Sequence, residues 1–271
     1  MKHDHLDLAG TRATIVVHRW PKPQARYVAL ISHGIAEHAE RYGYVAARLI
    51  EHGATVYAPD HYGHGRSGGE PGLVDDLDSI VEDLHLLAER ASADNPGLPT
   101  VLIGHSMGGL IAARYAQLHG DELAALVLSA PAVAGDPDLL GLLDLDPIPD
   151  VPIDPAILSR DPSVGQAYAA DPLIYHGPLL RTTLETLVGE MRAVADGPTL
   201  GALPTLWIHG TEDALVPLEH ARPAVERIRG ERFDERIYPG ARHEVFNETN
   251  KDEVIGDVIA FLDRTLPARP A

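Results

Sequence analysis

The sequence predicts an α/β protein built on a mostly parallel, doubly wound sheet, and three observations carry that expectation. Short apolar, β-rich runs alternate with longer helical patterns along most of the 271 residues. Several runs are apolar without a break, as in Val101-Leu102-Ile103, which suits strands covered on both faces. Each helical pattern carries one apolar stripe, the form of a helix laid against a sheet.

Candidate strands lie at 14–17, 27–32, 55–58, 100–104, 125–129, 205–209 and 233–238. Between them, Leu77, Ile80, Val81, Leu84, Leu87, Ala88 and Ala91 fall at helical spacing. So do Val254, Ile255, Val258, Ile259, Leu262 and Leu266 near the C-terminus. Strand, helix and parallel strand in succession imply right-handed crossovers. The rhythm breaks between 135 and 197, a proline-rich stretch with short helical patterns, as at 182–194, and no convincing strand. Alternation resumes at Leu203. The expected organisation is therefore a core of residues 1–134 and 198–271, with 135–197 inserted over it as a helical cap.

Composition bounds the function. The net charge of -18 disfavours nucleic acid as a partner and electrostatic docking on anionic membranes. The absence of cysteine excludes disulfides, thiolate metal sites and cysteine nucleophiles. Residues 1–10 are polar, without an apolar signal core, and no apolar run approaches a membrane span; a cytoplasmic location is expected unless a leader has been removed. Of 15 histidines, none pairs at HExxH spacing, so no metal is expected. His3, His5, His18, His52, His85 and His119 read as surface or helix-end residues. His33, His61, His64 and His105 lie in loops where they would orient backbone.

The strongest local signal is Gly104-His105-Ser106-Met107-Gly108-Gly109, placed after one strand and before a helix. Gly-x-Ser-x-Gly should arise by chance about 0.1 times in a chain with this much glycine and serine. A serine on so sharp a turn occupies strained backbone, and side chains two residues either side would collide with it. The turn lifts the hydroxyl clear of the sheet at a helix N-terminus, where N–H groups face developing negative charge. The pattern resembles the nucleophile turn of α/β hydrolases, whose chain order is serine, acid, histidine. Asp213 follows the strand at 205–209 and His243 follows that at 233–238, so all three sit at carboxyl ends of strands. His243 would take the Ser106 proton and Asp213 would orient the imidazole. Glu212 is the rival acid. After the strand at 27–32 comes His33-Gly34-Ile35, and the Ile35 and Met107 N–H groups are the expected oxyanion donors.

The stretches His33-Gly34-Ile35-Ala36-Glu37-His38, Pro59-Asp60-His61-Tyr62-Gly63-His64-Gly65-Arg66-Ser67, Gly104 to Gly109, His209-Gly210-Thr211-Glu212-Asp213 and Tyr238-Pro239-Gly240-Ala241-Arg242-His243-Glu244 resemble the monoacylglycerol lipases, and the bacterial members most. The resemblance covers nearly the whole chain and is weakest from Asp136 to Leu203. It implies the α/β-hydrolase fold, hydrolysis of a monoacylglycerol through an acyl-enzyme on Ser106, and no metal or cofactor. It also implies a helical cap that forms an acyl tunnel beside a polar glycerol pocket. Positions matching Glu37 and Arg41 lie near that pocket in relatives; by spacing alone the two read equally as a solvated ion pair at a helix start. His105, Leu139, Leu142 and Leu143 are further candidate substrate contacts. The leucine run Leu139-Leu140-Gly141-Leu142-Leu143 would either pack the cap on the core or line the tunnel and touch a lipid surface transiently. Some relatives carry a histidine three residues after the catalytic one, where this chain has Phe246. Alternative readings are a broader carboxylesterase or lysophospholipase and, in another class, a catalytically idle ligand receptor.

Overall fold

A computed structural model describes residues 2–135, 137–150 and 152–267. One eight-stranded sheet runs through the molecule in the order β1-β2-β4-β3-β5-β6-β7-β8. Its strands are β1 (Asp4–Ala9), β2 (Thr14–Trp20), β3 (Tyr27–Ser32), β4 (Ala54–Pro59), β5 (Thr100–His105), β6 (Leu123–Ser129), β7 (Thr205–Gly210) and β8 (Phe233–Tyr238). β1 and β2 are antiparallel to their neighbours, and every pair from β4 to β8 is parallel.

The alternation of side chains across the strands divides the core in two. Val28, Leu30 and Leu102 face α2 (Leu77–Asp94) and α3 (Met107–His119), while Ala29, Ile31 and Ile103 face α1 (Gly43–His52) and α8 (Lys251–Thr265). β3, β4 and β5 are buried along almost their whole length. That is why they read as unbroken apolar runs. β1 is an addition to the seven expected strands. Only Leu6 and Leu8 of this edge strand pack on the core, between exposed His5 and Asp7, so its period-2 signal is two residues long. His18, expected at the surface, is fully buried in β2, where Asp60 accepts a hydrogen bond from its Nε2 at 3.2 Å.

The segment between β6 and β7 contains α4 (Pro137–Gly141), α5 (Pro162–Ala170) and α6 (Arg181–Asp196), and no strand among its described residues. α6 faces two ways. Leu187, Met191 and Val194 belong to the main core, while Leu184, Leu187 and Met191 also line a cavity above the sheet. Polar ties hold the middle of the segment down: His38 meets Asp171 at 2.9 Å, the Tyr175 N–H donates to the Ala36 carbonyl at 2.8 Å, and Arg160 pairs with Glu248 at 2.8 Å. Among the described residues, no helix is long and apolar enough to cross a membrane.

The chain turns from β3 towards β4 on one side, while β5 pairs with β3 on the other. The loops leaving β3 and β5 therefore open a crevice at the topological switch point, where open α/β sheets hold their ligands.

Candidate active site

Ser106 sits between β5 and α3 with φ 54° and ψ −119°. Three of the four non-glycine residues with positive φ among those described, Ala36, Ser106 and Ala130, lie at this crevice; the fourth is Gln24. Such conformations cost on the order of 1–3 kcal/mol each and persist only where the surroundings enforce them. At Ser106 the enforcement is visible. Its N–H donates to the Ser129 carbonyl at 3.0 Å, and its own carbonyl accepts from Gly109, Leu110 and Ala132 at 2.9, 3.1 and 3.0 Å. The glycines follow from the same crowding. A Cβ on Gly104 would strike the Gly108 carbonyl, and one on Gly108 would strike the Ser32 carbonyl.

His243 is buried, and its Nδ1 lies 2.8 Å from Asp213 Oδ2. With the carboxylate accepting from Nδ1–H, the lone pair of Nε2 is left for a hydroxyl. Asp213 Oδ1 accepts from the Leu215 and Val216 N–H groups, both at 2.9 Å. Burial opposes the charge on Asp213, but His243 and His209 hold the carboxyl far below its usual range. Burial likewise pushes the His243 imidazole down, and the adjoining Asp213 carboxylate reverses this, leaving its pKa above the ordinary 6.5. Glu212 is exposed and its N–H bonds the Ala241 carbonyl.

His209 stands in the stretch before Asp213, and the sequence assigns it no role. Its Nδ1 accepts from Trp207 Nε1 at 3.2 Å, which puts the proton on Nε2. That proton points at the Val216 carbonyl, 2.8 Å away, with Asp213 Oδ2 at 3.3 Å. The residue thus clamps the turn that carries the carboxylate.

The loop after β3 is held by histidines and by Glu37. His33 Nδ1 donates to the Gly34 carbonyl at 2.7 Å and its Nε2 accepts from the His61 N–H at 2.9 Å. Burial lowers the pKa values of His33, His61 and His64, the last to about 4, so these rings are neutral; His33 and His64 bond backbone and His61 bonds the Ser32 hydroxyl at 2.9 Å. Glu37 Oε1 takes the Gly34 N–H at 2.7 Å and the Tyr42 hydroxyl at 2.7 Å. The next amide, Ile35, borders the cavities beside Ser106, and Met107 opens α3, where helix geometry leaves N–H groups without an intrahelical acceptor.

Two cavities meet at Ser106. The larger, about 430 Å³, is lined mainly by apolar side chains, among them Leu139, Leu142, Ile157, Leu184, Leu187 and Met191. The smaller, about 30 Å³, is walled by Glu37, His105, His243 and Glu244. Ile35, Ser106, Ile153, Tyr168 and Leu215 border both. Behind the small pocket, Arg41 bonds Glu37 and also grips Glu244 with two contacts of 2.8 Å. The three side chains are almost wholly buried, so the pair suggested by the sequence is neither solvated nor a pair. Tyr168 lies against the guanidinium at 5.2 Å. His105 is buried beside His243, contacts Ser129 Oγ at 3.2 Å, and is pushed by burial to a pKa of about 3, so it is neutral.

Leu143, grouped with Leu139 and Leu142 by the sequence, is only half-buried and does not line the large cavity. Its carbonyl accepts from Arg181 at 3.0 Å.

The sequence matches the family described as serine aminopeptidase, S33, over residues 23–250. It is 38% identical over 271 residues to the monoacylglycerol lipase of Mycolicibacterium smegmatis, with 96% of each chain covered. The chain belongs to the monoacylglycerol lipase family. It is also 33% identical to the human monoglyceride lipase, over 85% of this chain and 80% of that one. The crystal structure of the Paleococcus ferrophilus monoacylglycerol lipase superposes with a TM-score of 0.80 at 25% identity, covering 98% of this chain and all of that one. A soluble variant of the Saccharomyces cerevisiae monoglyceride lipase shares the fold, with a TM-score of 0.87 at 20% identity over 99% and 97% of the chains. Phe246, three residues after His243, is buried in the core beside α8 and borders neither cavity.

Proposed function

We propose that this protein hydrolyses monoacylglycerols, with Ser106 as nucleophile, His243 as general base and acid, and Asp213 as the group that orients it. The observation that carries the proposal is the position of Ser106 between an apolar cavity of about 430 Å³ and a small pocket that Glu37, His105, His243 and Glu244 help to wall. The acyl chain occupies the first and the glycerol hydroxyls the second. His243 Nε2 accepts the Ser106 proton as Oγ attacks the carbonyl carbon. The carbonyl oxygen becomes an oxyanion held by the Ile35 and Met107 N–H groups. On collapse, His243 returns the proton to the departing glycerol oxygen. Water then attacks the acyl-enzyme by the same route and releases the fatty acid. The segment 135–197 is the cap that roofs the acyl cavity, and exposed Leu145 beside α4 gives it an apolar contact for a lipid surface.

The small pocket has room for about two or three water-sized groups, the scale of a polyol fragment and too little for a second acyl chain. Behind it stand two carboxylates and one guanidinium, an excess of one negative charge, which repels the phosphate of a lysophospholipid. Both carboxylates are engaged by Arg41, so neither is free to hold the amine of a peptide. The test is steady-state kinetics on monoacyl-, diacyl- and triacylglycerols and on a lysophospholipid, with graded chain lengths. We expect kcat/KM to favour the monoacylglycerol by roughly a hundredfold or more. Equal turnover of the lysophospholipid or triacylglycerol would replace this reading with that of a broad esterase. Binding of ester without turnover would favour the ligand receptor.

A further inference from the structure

We propose that His3, His5 and His18 form a binding site for one divalent transition-metal ion of the zinc type, on the sheet edge away from Ser106. The histidines converge through strand register. His5 lies directly across from His18 in the antiparallel pair β1–β2, and His3 precedes His5 by two residues, on the same face. His3 Nε2 and His5 Nε2 are each 3.2 Å from His18 Nδ1. A tetrahedral ion with metal–nitrogen bonds of about 2.0–2.1 Å sets its ligand nitrogens about 3.3 Å apart. The three candidate donor atoms all lie within 4.8 Å of one another.

Hydrogen bonding alone serves this cluster poorly. His18 Nε2 is committed to Asp60 Oδ2 at 3.2 Å, so Nδ1 offers a single in-plane lone pair. Two neighbouring imidazoles compete for it. A cation among the three nitrogens uses all three lone pairs and leaves every ring neutral, with its proton on the far nitrogen. His18 would then donate that proton to a buried carboxylate, the usual partner of a metal-bound histidine. Asp60 is itself fixed by the Ala39 and Arg66 N–H groups at 2.9 and 2.8 Å. The His3 ring is further positioned by stacking on Trp20 at 4.6 Å.

Three imidazoles without a thiolate or carboxylate in the first set of donors suit zinc, nickel, cobalt or copper(II), and not calcium or magnesium. His3 and His5 are exposed, which leaves a coordination position to solvent. The sequence expectation of no metal rested on helical spacing, whereas here a hairpin supplies the geometry. Three strands separate β1 from β5, so the ion would clasp the N-terminal strand and take no part in ester chemistry. A second group, His85, His119 and Glu122, differs: its two rings stack at 3.9 Å and Glu122 is largely exposed.

The experiment is calorimetric titration of the chelator-treated full chain with Zn2+, with Co2+ absorption reporting coordination geometry. Three proteins are compared: the unaltered chain, a variant carrying both His3→Gln and His5→Gln, and His85→Gln. We expect one ion per chain and a raised melting temperature with Zn2+ in the unaltered chain and in His85→Gln. Affinity should fall at least about a hundredfold in the double variant, whose fold and ester turnover stay unchanged because both side chains are exposed. Stoichiometric binding retained in the double variant, binding lost in His85→Gln instead, or no uptake by the unaltered chain would each overturn the proposal.

Discussion

The Ser106 backbone is held by four hydrogen bonds that involve no atom of its side chain, so the hydroxyl can be removed without releasing the turn. Ser106→Ala should therefore fold normally, lose about a millionfold in kcat, and resist labelling by a fluorophosphonate. Circular dichroism and active-site labelling check both halves. The base must be neutral to act, and its pKa is raised, so kcat/KM should fall with a single protonation as pH drops through a midpoint above 6.5. Stability runs the other way. A histidine pKa raised by folding contributes stability that is fully present below 6.5 and is lost as pH rises through the folded value. Asp213→Asn should remain folded, lose several orders of magnitude in kcat, and abolish that opposition; Glu212→Gln should do nothing. At the small pocket, Arg41→Ala strands two buried carboxylates, and urea unfolding should show a loss of about 3–5 kcal/mol. Of these residues the sequence singled out Ser106, Asp213 and His243, because a local glycine pattern and chain order mark them, and the structure brings Asp213 and His243 into contact. Glu244, Tyr168 and His209 owe their roles to contacts across the fold. Nothing in their own neighbourhoods announces an arginine clamp or a carboxylate turn.

The elements differ in how firmly they are attached. α5 and the turns around it carry the ties to Ala36, His38 and Glu248, whereas α4 and its following turn rest on half-buried leucines and on Arg181 of α6, which bonds the Leu143 and Leu145 carbonyls. Leu139 and Leu142 border the acyl cavity and Leu143 does not, which gives an internal comparison. Leu139→Ser and Leu142→Ser should each reduce kcat/KM on a long-chain monoacylglycerol by roughly 1 kcal/mol or more, leaving a soluble acetate ester almost untouched. Leu143→Ser should affect both esters alike. Loss on both esters in step with melting temperature for all three would make α4 a packing element. The strands buried on both faces were readable as apolar runs. β1 was not, since an edge strand with one half-buried face offers two leucines among polar residues. The break in rhythm at 135 falls where the strands give way to short helices, and α6 escapes a clean division because one helix serves both the core and the cavity.

For the molecule as a whole, the proposed function would give the two halves of an ester different compartments. The alcohol half would depart from the small pocket while the acyl chain stayed threaded in the large apolar one. What would remain is a covalent intermediate facing a vacated chamber with space for about two or three water-sized groups. Whatever enters next decides the product. Water yields the acid, and a short alcohol yields a new ester. On the proposed mechanism the protein would divide its acyl-enzyme between water and alcohol. In concentrated glycerol or methanol, the ratio of ester to acid should climb with alcohol concentration, and bulky alcohols should leave it unmoved.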